Sequence, residues 1–193
     1  MILTAKRILE LNEKHKLIEG LSERELKNPE GVGFDLRAGE VYKLSGEGFL
    51  GVAERRSPEI VKIADIKTDG NKVVVMAPGD YFLVKTVEQV HAPAEKIVVE
   101  EGKPPVHLMI HIYPRSTLHR CGVYLMGTKT DPGYKGELTF AIANLGGAPF
   151  RFELGARMLG VVFKQAVGDL HRAYDGQWKG GRVSTGGTVE KQN

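Results

Sequence analysis

Apolar residues recur along this chain in short runs divided by turn-forming residues, after one amphipathic segment at the start. Thr4 to Leu17 carries Ile8, Leu9 and Leu11, with Ala5 and Asn12 marking its faces. That spacing predicts a helix with Thr4 as its N-cap and an end near Gly20. Asn28 to Gly33 reads as a loop, and Phe34 to Gly39 alternates apolar and charged residues as a strand does. From there every run is short and rich in Val, Ile, Phe and Tyr: Lys72 to Met76, Asp80 to Val87, Lys96 to Glu100, Val106 to Tyr113, Gly122 to Met126, Glu137 to Ala143, Phe150 to Leu154 and Met158 to Phe163. Asp69-Gly70-Asn71, Pro78-Gly79, Gly102-Lys103-Pro104-Pro105, Gly146-Gly147 and Gly155 separate them. Many short strands at such spacing predict an all-β protein, a sandwich, jelly roll or distorted barrel in place of a parallel sheet.

Composition adds bounds to that picture. At 193 residues, with 41% apolar and 26% charged, the chain has the length and content of one globular domain. A net charge of +3, spread along the chain, leaves no basic stripe for nucleic acid. Cys121 is the only cysteine, so no internal disulfide forms, as expected of a reducing cytoplasm. The opening residues turn polar at once, with no signal peptide expected, and no apolar run approaches the roughly 20 residues that span a bilayer. The reading is of a cytoplasmic protein with no nucleic-acid or membrane partner.

Candidate chemistry concentrates between Tyr113 and Asn144. Arg115 and Arg120 flank Ser116 and Thr117, an arrangement able to grip phosphate oxygens. In Thr130 to Glu137, Pro132-Gly133 presets a turn and leaves Asp131 at the mouth of a hairpin. A phosphate clamp beside a water-activating carboxylate points to hydrolysis at phosphorus. His107 and His111 share one strand face, but no Asp, Glu or Cys joins them at ligand spacing. The last stretch, Tyr174 to Gly187, holds too little apolar surface to bury itself. It is either a frayed terminus or a segment ordered by what it closes over, and Trp178 with Lys179, Arg182, Ser184 and Thr185 suits stacking on a base and bonding phosphates.

Five motifs in order, GFDLRA (Gly33 to Ala38), PRSTLHR (Pro114 to Arg120), TDPGYKGEL (Thr130 to Leu138), GARM (Gly155 to Met158) and a Gly/Ser/Thr tail, resemble the dUTP diphosphatase and dCTP deaminase superfamily. The resemblance implies a distorted jelly roll, the dUTPase-like β-clip, with a short N-terminal helix. It further implies one β domain over residues 1–170 and a flexible tail, 171–193, that closes over the site. The assembly it implies is a homotrimer with active sites between subunits. By the same resemblance Arg115, Ser116, Thr117 and Arg120 hold the phosphates, Tyr134 lies under the deoxyribose, and backbone groups of Thr139, Phe140 and Ala141 read the base. Thr130, Arg157, Tyr174, Gln177, Trp178, Lys179 and Ser184 join them, and Asp35 lies near Mg²⁺ carried on the triphosphate. The deaminase branch has a glutamate ten residues after the turn aspartate, and that position is Ala141. Loss of such a proton shuttle typically costs about 10²- to 10⁴-fold. The expected function is therefore dUTP diphosphatase, with Asp131 as base. The alternatives are a dCTP deaminase, a bifunctional enzyme or a non-catalytic deoxynucleotide-binding regulator.

Overall fold

The computed structural model describes residues 1–192. In chain order the elements are α1 (Ala5–His15), β1 (Ile18–Glu19), α2 (Glu23–Lys27), β2 (Phe34–Ser45), β3 (Phe49–Leu50), β4 (Glu54–Arg56), β5 (Glu59–Asp65), α3 (Ile66–Asp69), β6 (Val73–Met76), β7 (Tyr81–His91), β8 (His107–Pro114), α4 (Ser116–Arg120), β9 (Val123–Met126), β10 (Lys129–Thr130), β11 (Lys135–Asn144), β12 (Phe150–Glu153), β13 (Arg157–Ala166) and β14 (Glu190–Lys191). The fold is all-β and jelly-roll-like, as the short apolar runs predict. No helix among the described residues is long and apolar enough to cross a membrane.

The helix forms for the reasons its sequence gives. Thr4 accepts the Arg7 amide at 3.3 Å, Lys14 and His15 place positive charge in the last turn, and Ala5, Ile8 and Leu11 are buried. Nine strands make one curled antiparallel sheet. Seven run in the order β10-β8-β13-β2-β7-β11-β9, with β1 added on β7 and β5 on β2. Strand β2 joins its halves, pairing with β13 through Phe34 to Arg37 and with β7 from Ala38 onward. Just past the change of partner the register with β7 shifts at Gly39, where a Cβ would meet the Thr86 backbone at 3.1 Å. Bare backbone lets the strand bend there. Leu36, Val84, Leu108, Ile110, Ile142, Leu159 and Phe163 fill the interior, each wholly buried.

One expected strand does not form. Lys96 to Glu100 makes a single bridge, Ile97 to Val106, because Pro104 and Pro105 lack the amides a ladder needs. Ile97 and Val99 are nevertheless buried. Conversely, β3 and β4 form an arm that the apolar pattern does not announce, and β14 pairs with it to make a separate three-stranded sheet.

Candidate functional site

The hairpin between β10 and β11 forms one wall of a cavity of about 380 Å³. Its turn closes as the sequence dictates, with the Tyr134 amide donating to the Asp131 carbonyl at 3.1 Å. Gly133, at φ +104°, has no room for a side chain: a Cβ there would lie 2.5 Å from the Tyr174 carbonyl oxygen. The C-terminal segment uses that space. The Tyr174 amide donates to the Pro132 carbonyl at 2.7 Å, and the Gly180 amide to the Lys135 carbonyl at 2.8 Å. Tyr174, its ring centroid 5.9 Å from that of Tyr134, and Trp178 line the cavity with Asp131, Thr130 and Thr139. Ser57, Arg182 and Val183 line it as well.

Asp131 is the only carboxylate lining this cavity among the described residues. One of its oxygens accepts from the Lys129 ammonium. Tyr134 is buried and its hydroxyl donates to the Glu137 carbonyl at 2.5 Å. Burial pushes its pKa up to about 12, aided by the nearby Tyr174 and Glu137. Thr139 has a buried hydroxyl with no partner among the described residues. Directly across the ladder from it is Lys85, which is opposite Glu40, which is opposite Asp65. Lys85 and Lys62 each reach a Glu40 oxygen at 2.8 Å, and Lys62 also reaches Asp65 at 2.8 Å. Thus a row of ion pairs on the sheet face ends beside Thr139, a residue of the cavity lining.

The arginine motif is elsewhere in the same chain. Arg115 Nε lies 2.9 Å from Asp35, and Arg157 bridges Asp35 at 3.2 Å and the buried Glu25 at 3.4 Å. Ser116, Thr117 and Arg120 are exposed on α4. Thr130 is registered opposite Ile110, so Arg115 lies roughly 16 Å further along at about 3.3 Å per residue. One chain does not bring the clamp to Asp131. Phe140 and Ala141 are buried in β11, Lys179 pairs with Asp175 at 3.4 Å, and Gln177 lines an adjoining cavity. Ser184 bonds the Pro58 carbonyl at 2.5 Å.

A model of the dCTP deaminase-like family matches residues 2–166. The chain belongs to that family. A dCTP deaminase of Pyrococcus horikoshii is 28% identical over 167 residues, 86% of each chain. A dCTP deaminase of Acinetobacter baumannii is 25% identical over 195 residues, 95% of each chain. The crystal structure of 2′-deoxycytidine 5′-triphosphate deaminase from Agrobacterium tumefaciens has a TM-score of 0.61 at 17% identity, over 86% of this chain and 48% of that one, a likeness of fold. These relatives overturn the expected dUTP diphosphatase. That expectation rested on one missing side chain at Ala141, whereas the match to proteins named deaminase runs through nearly the whole sheet. A single alanine does not fix which chemistry the surrounding site performs.

In this dCTP deaminase-like protein one oxygen of Asp35, Oδ2, is shared between Arg115 and Arg157. Burial pushes the Asp35 pKa up while Arg115 opposes it. No group of three or more His, Cys, Asp or Glu among the described residues could hold a metal ion. Sequence reasoning missed Ser57 and Lys129 at the cavity, whereas Arg182, singled out in the tail, does line it. Lys129 sits two residues from Asp131 and was readable from its position, whereas Ser57 is distant in the chain and carries no motif.

Proposed function

We propose that this protein is a dCTP deaminase, converting dCTP and water to dUTP and ammonia. The observation that carries the reading is the family match over residues 2–166, joined to a cavity whose sole carboxylate among the described residues is Asp131. Water adds at C4 of the cytosine, the C4–N4 bond breaks, and the two protons of the water end on N3 and on the departing nitrogen. Asp131 takes the first proton and passes it on, with Lys129 orienting the carboxylate. Tyr134 packs against the sugar, and the free hydroxyl of Thr139 bonds the base. The residues near Tyr174 and Trp178 close the cavity over the nucleotide and exclude water. Mg²⁺ enters as counter-ion of the triphosphate, and no step is assigned to it.

Because Arg115 is remote from Asp131 in one chain, we infer a homotrimer in which a second copy brings its arginine motif to the phosphates. The test of function is ammonia release and nucleotide product analysis with purified protein and dCTP. Formation of dUTP with one ammonia per turnover supports the reading, and an inert dCTP overturns it. Binding of dCTP without ammonia release would make this a deoxynucleotide-binding protein.

A further inference from the structure

Beside the cavity, strand β7 falls out of step with both of its neighbours at one point. Gln89 is opposite Glu137 and Lys85 is opposite Thr139, so Thr86, Val87 and Glu88 together face the single residue Leu138. A regular ladder continued from Gln89 would set Thr139 opposite Val87. The bulge carries it two residues further, roughly 7 Å along β7 at about 3.3 Å per residue. On the other side Ala38 is opposite Thr86 and Glu40 opposite Lys85, which leaves Gly39 as an extra residue of β2. Side chains of the bulge supply the acceptors that an interrupted ladder lacks. The Leu138 amide donates to the Thr86 hydroxyl at 2.9 Å, and that hydroxyl donates to the Glu88 carbonyl at 2.7 Å. Across on β2, the Arg37 amide donates to one Glu88 carboxylate oxygen at 2.8 Å and its Nε to the other at 2.6 Å. Thr86, Glu88 and Leu138 are all buried, so bulk water does not stand in for either side chain.

Leu138 and Thr139 line the cavity, so whatever sets their place along β7 sets one of its walls. A hydroxyl is suited to this because it accepts from one chain while donating to another, tying the shape of the bulge to the position of β11. We propose that Thr86 is a positioning residue for nucleotide binding, its hydroxyl fixing Leu138 and Thr139 in the register that builds the cavity wall. Thr86 acts on the cavity at one remove, through the Leu138 amide. This deepens the proposed function and rests on it for the identity of the nucleotide.

The experiment compares wild type, Thr86→Val and Thr86→Ser as full chains, by hydrogen exchange at the Leu138 amide and by calorimetry with dCTP and with tripolyphosphate. Thr86→Val keeps the shape and removes the hydroxyl. Exchange at Leu138 is expected to quicken roughly tenfold or more and dCTP to bind roughly tenfold more weakly, while tripolyphosphate, which does not touch the base-reading strand, stays within about twofold. Thr86→Ser keeps the hydroxyl and is expected to hold dCTP affinity within about threefold of wild type. Should Thr86→Val fail to fold, Thr86→Cys offers a much weaker acceptor of similar size and must show the same selective loss. Unchanged dCTP affinity in the variant without the hydroxyl overturns the proposal, as does a serine variant that binds as weakly as the valine one. An equal loss for tripolyphosphate also overturns it, because that marks a merely structural role. If wild type binds dCTP in a Thr86-dependent way but releases no ammonia, the deaminase reading falls and the positioning role stands.

Discussion

Ser57 and Thr185, 128 positions apart, hold each other through three hydrogen bonds. The Ser57 amide donates to the Thr185 hydroxyl at 3.1 Å, the Thr185 amide donates to the Ser57 hydroxyl at 2.7 Å, and the Thr185 hydroxyl donates to the Ser57 carbonyl at 3.2 Å. Thr185 is buried by this clasp. The pair ties the C-terminal segment to the arm beside the cavity, so the order of that segment depends on groups that the apolar pattern does not register. Thr185→Val keeps the shape and removes the hydroxyl, leaving buried partners unpaired at a local cost of about 1–3 kcal/mol. The expected outcome is faster hydrogen exchange over residues 182–192 and faster tryptic cleavage at Arg182, with a several-fold rise in KM for dCTP and a small change in Tm. An unchanged exchange pattern would show that the clasp does not hold the segment.

Asp131→Asn removes the only carboxylate that lines the cavity among the described residues, with little change of shape. Ammonia release from dCTP should fall by about 10²-fold or more, while dCTP binding by calorimetry is retained. Near-native turnover would take Asp131 out of the proton-transfer role.

Ala141 shares a face of β11 with Thr139, two residues away, and is buried opposite Leu83 and Met126. Ala141→Glu places a carboxylate on the side of the strand where the free Thr139 hydroxyl stands. Deamination should rise, by up to about 10²-fold, at a cost in Tm from burying a larger polar group. A stable variant with no gain in rate would mean that proton transfer does not limit turnover.

Burial alone would raise the pKa of Glu40, but hydrogen bonds from Lys62, Lys85 and Tyr42 outweigh it and hold the carboxyl down to about 2 against an ordinary 4.5. A depressed carboxylate stabilises the fold fully above its unfolded value and loses that contribution as pH falls through the folded one. Acid unfolding should therefore show a loss on the order of 2 to 3 kcal/mol between about pH 4.5 and pH 2 that Glu40→Gln no longer shows. Glu40→Gln should also lower stability at neutral pH, because Lys85 and Lys62 lose their shared partner. Identical acid titrations of the two proteins would assign the effect elsewhere.

Much of this protein is legible in its sequence because local rules decide it. The cap at Thr4, the spacing of Ile8 and Leu11, the turn at Pro132-Gly133 and the alternation that makes strands depend on neighbours within a few residues, and helix, turn and most strands follow. The motifs at Arg115 and Asp131 likewise give the superfamily by resemblance. The choice of reaction did not follow from Ala141, since one side chain says nothing of the groups that other elements bring to the same cavity. Tertiary structure alone decided three things. It set Arg115 on Asp35 and away from Asp131, because β10 meets β8 five residues before the arginine. It aligned Thr139 with Glu40 across Lys85 by the register of three strands. It brought Arg55, Arg172 and Gln177 to one cavity. Each of these is a pairing between segments far apart in the chain, fixed by how the whole sheet packs, and no local pattern encodes it.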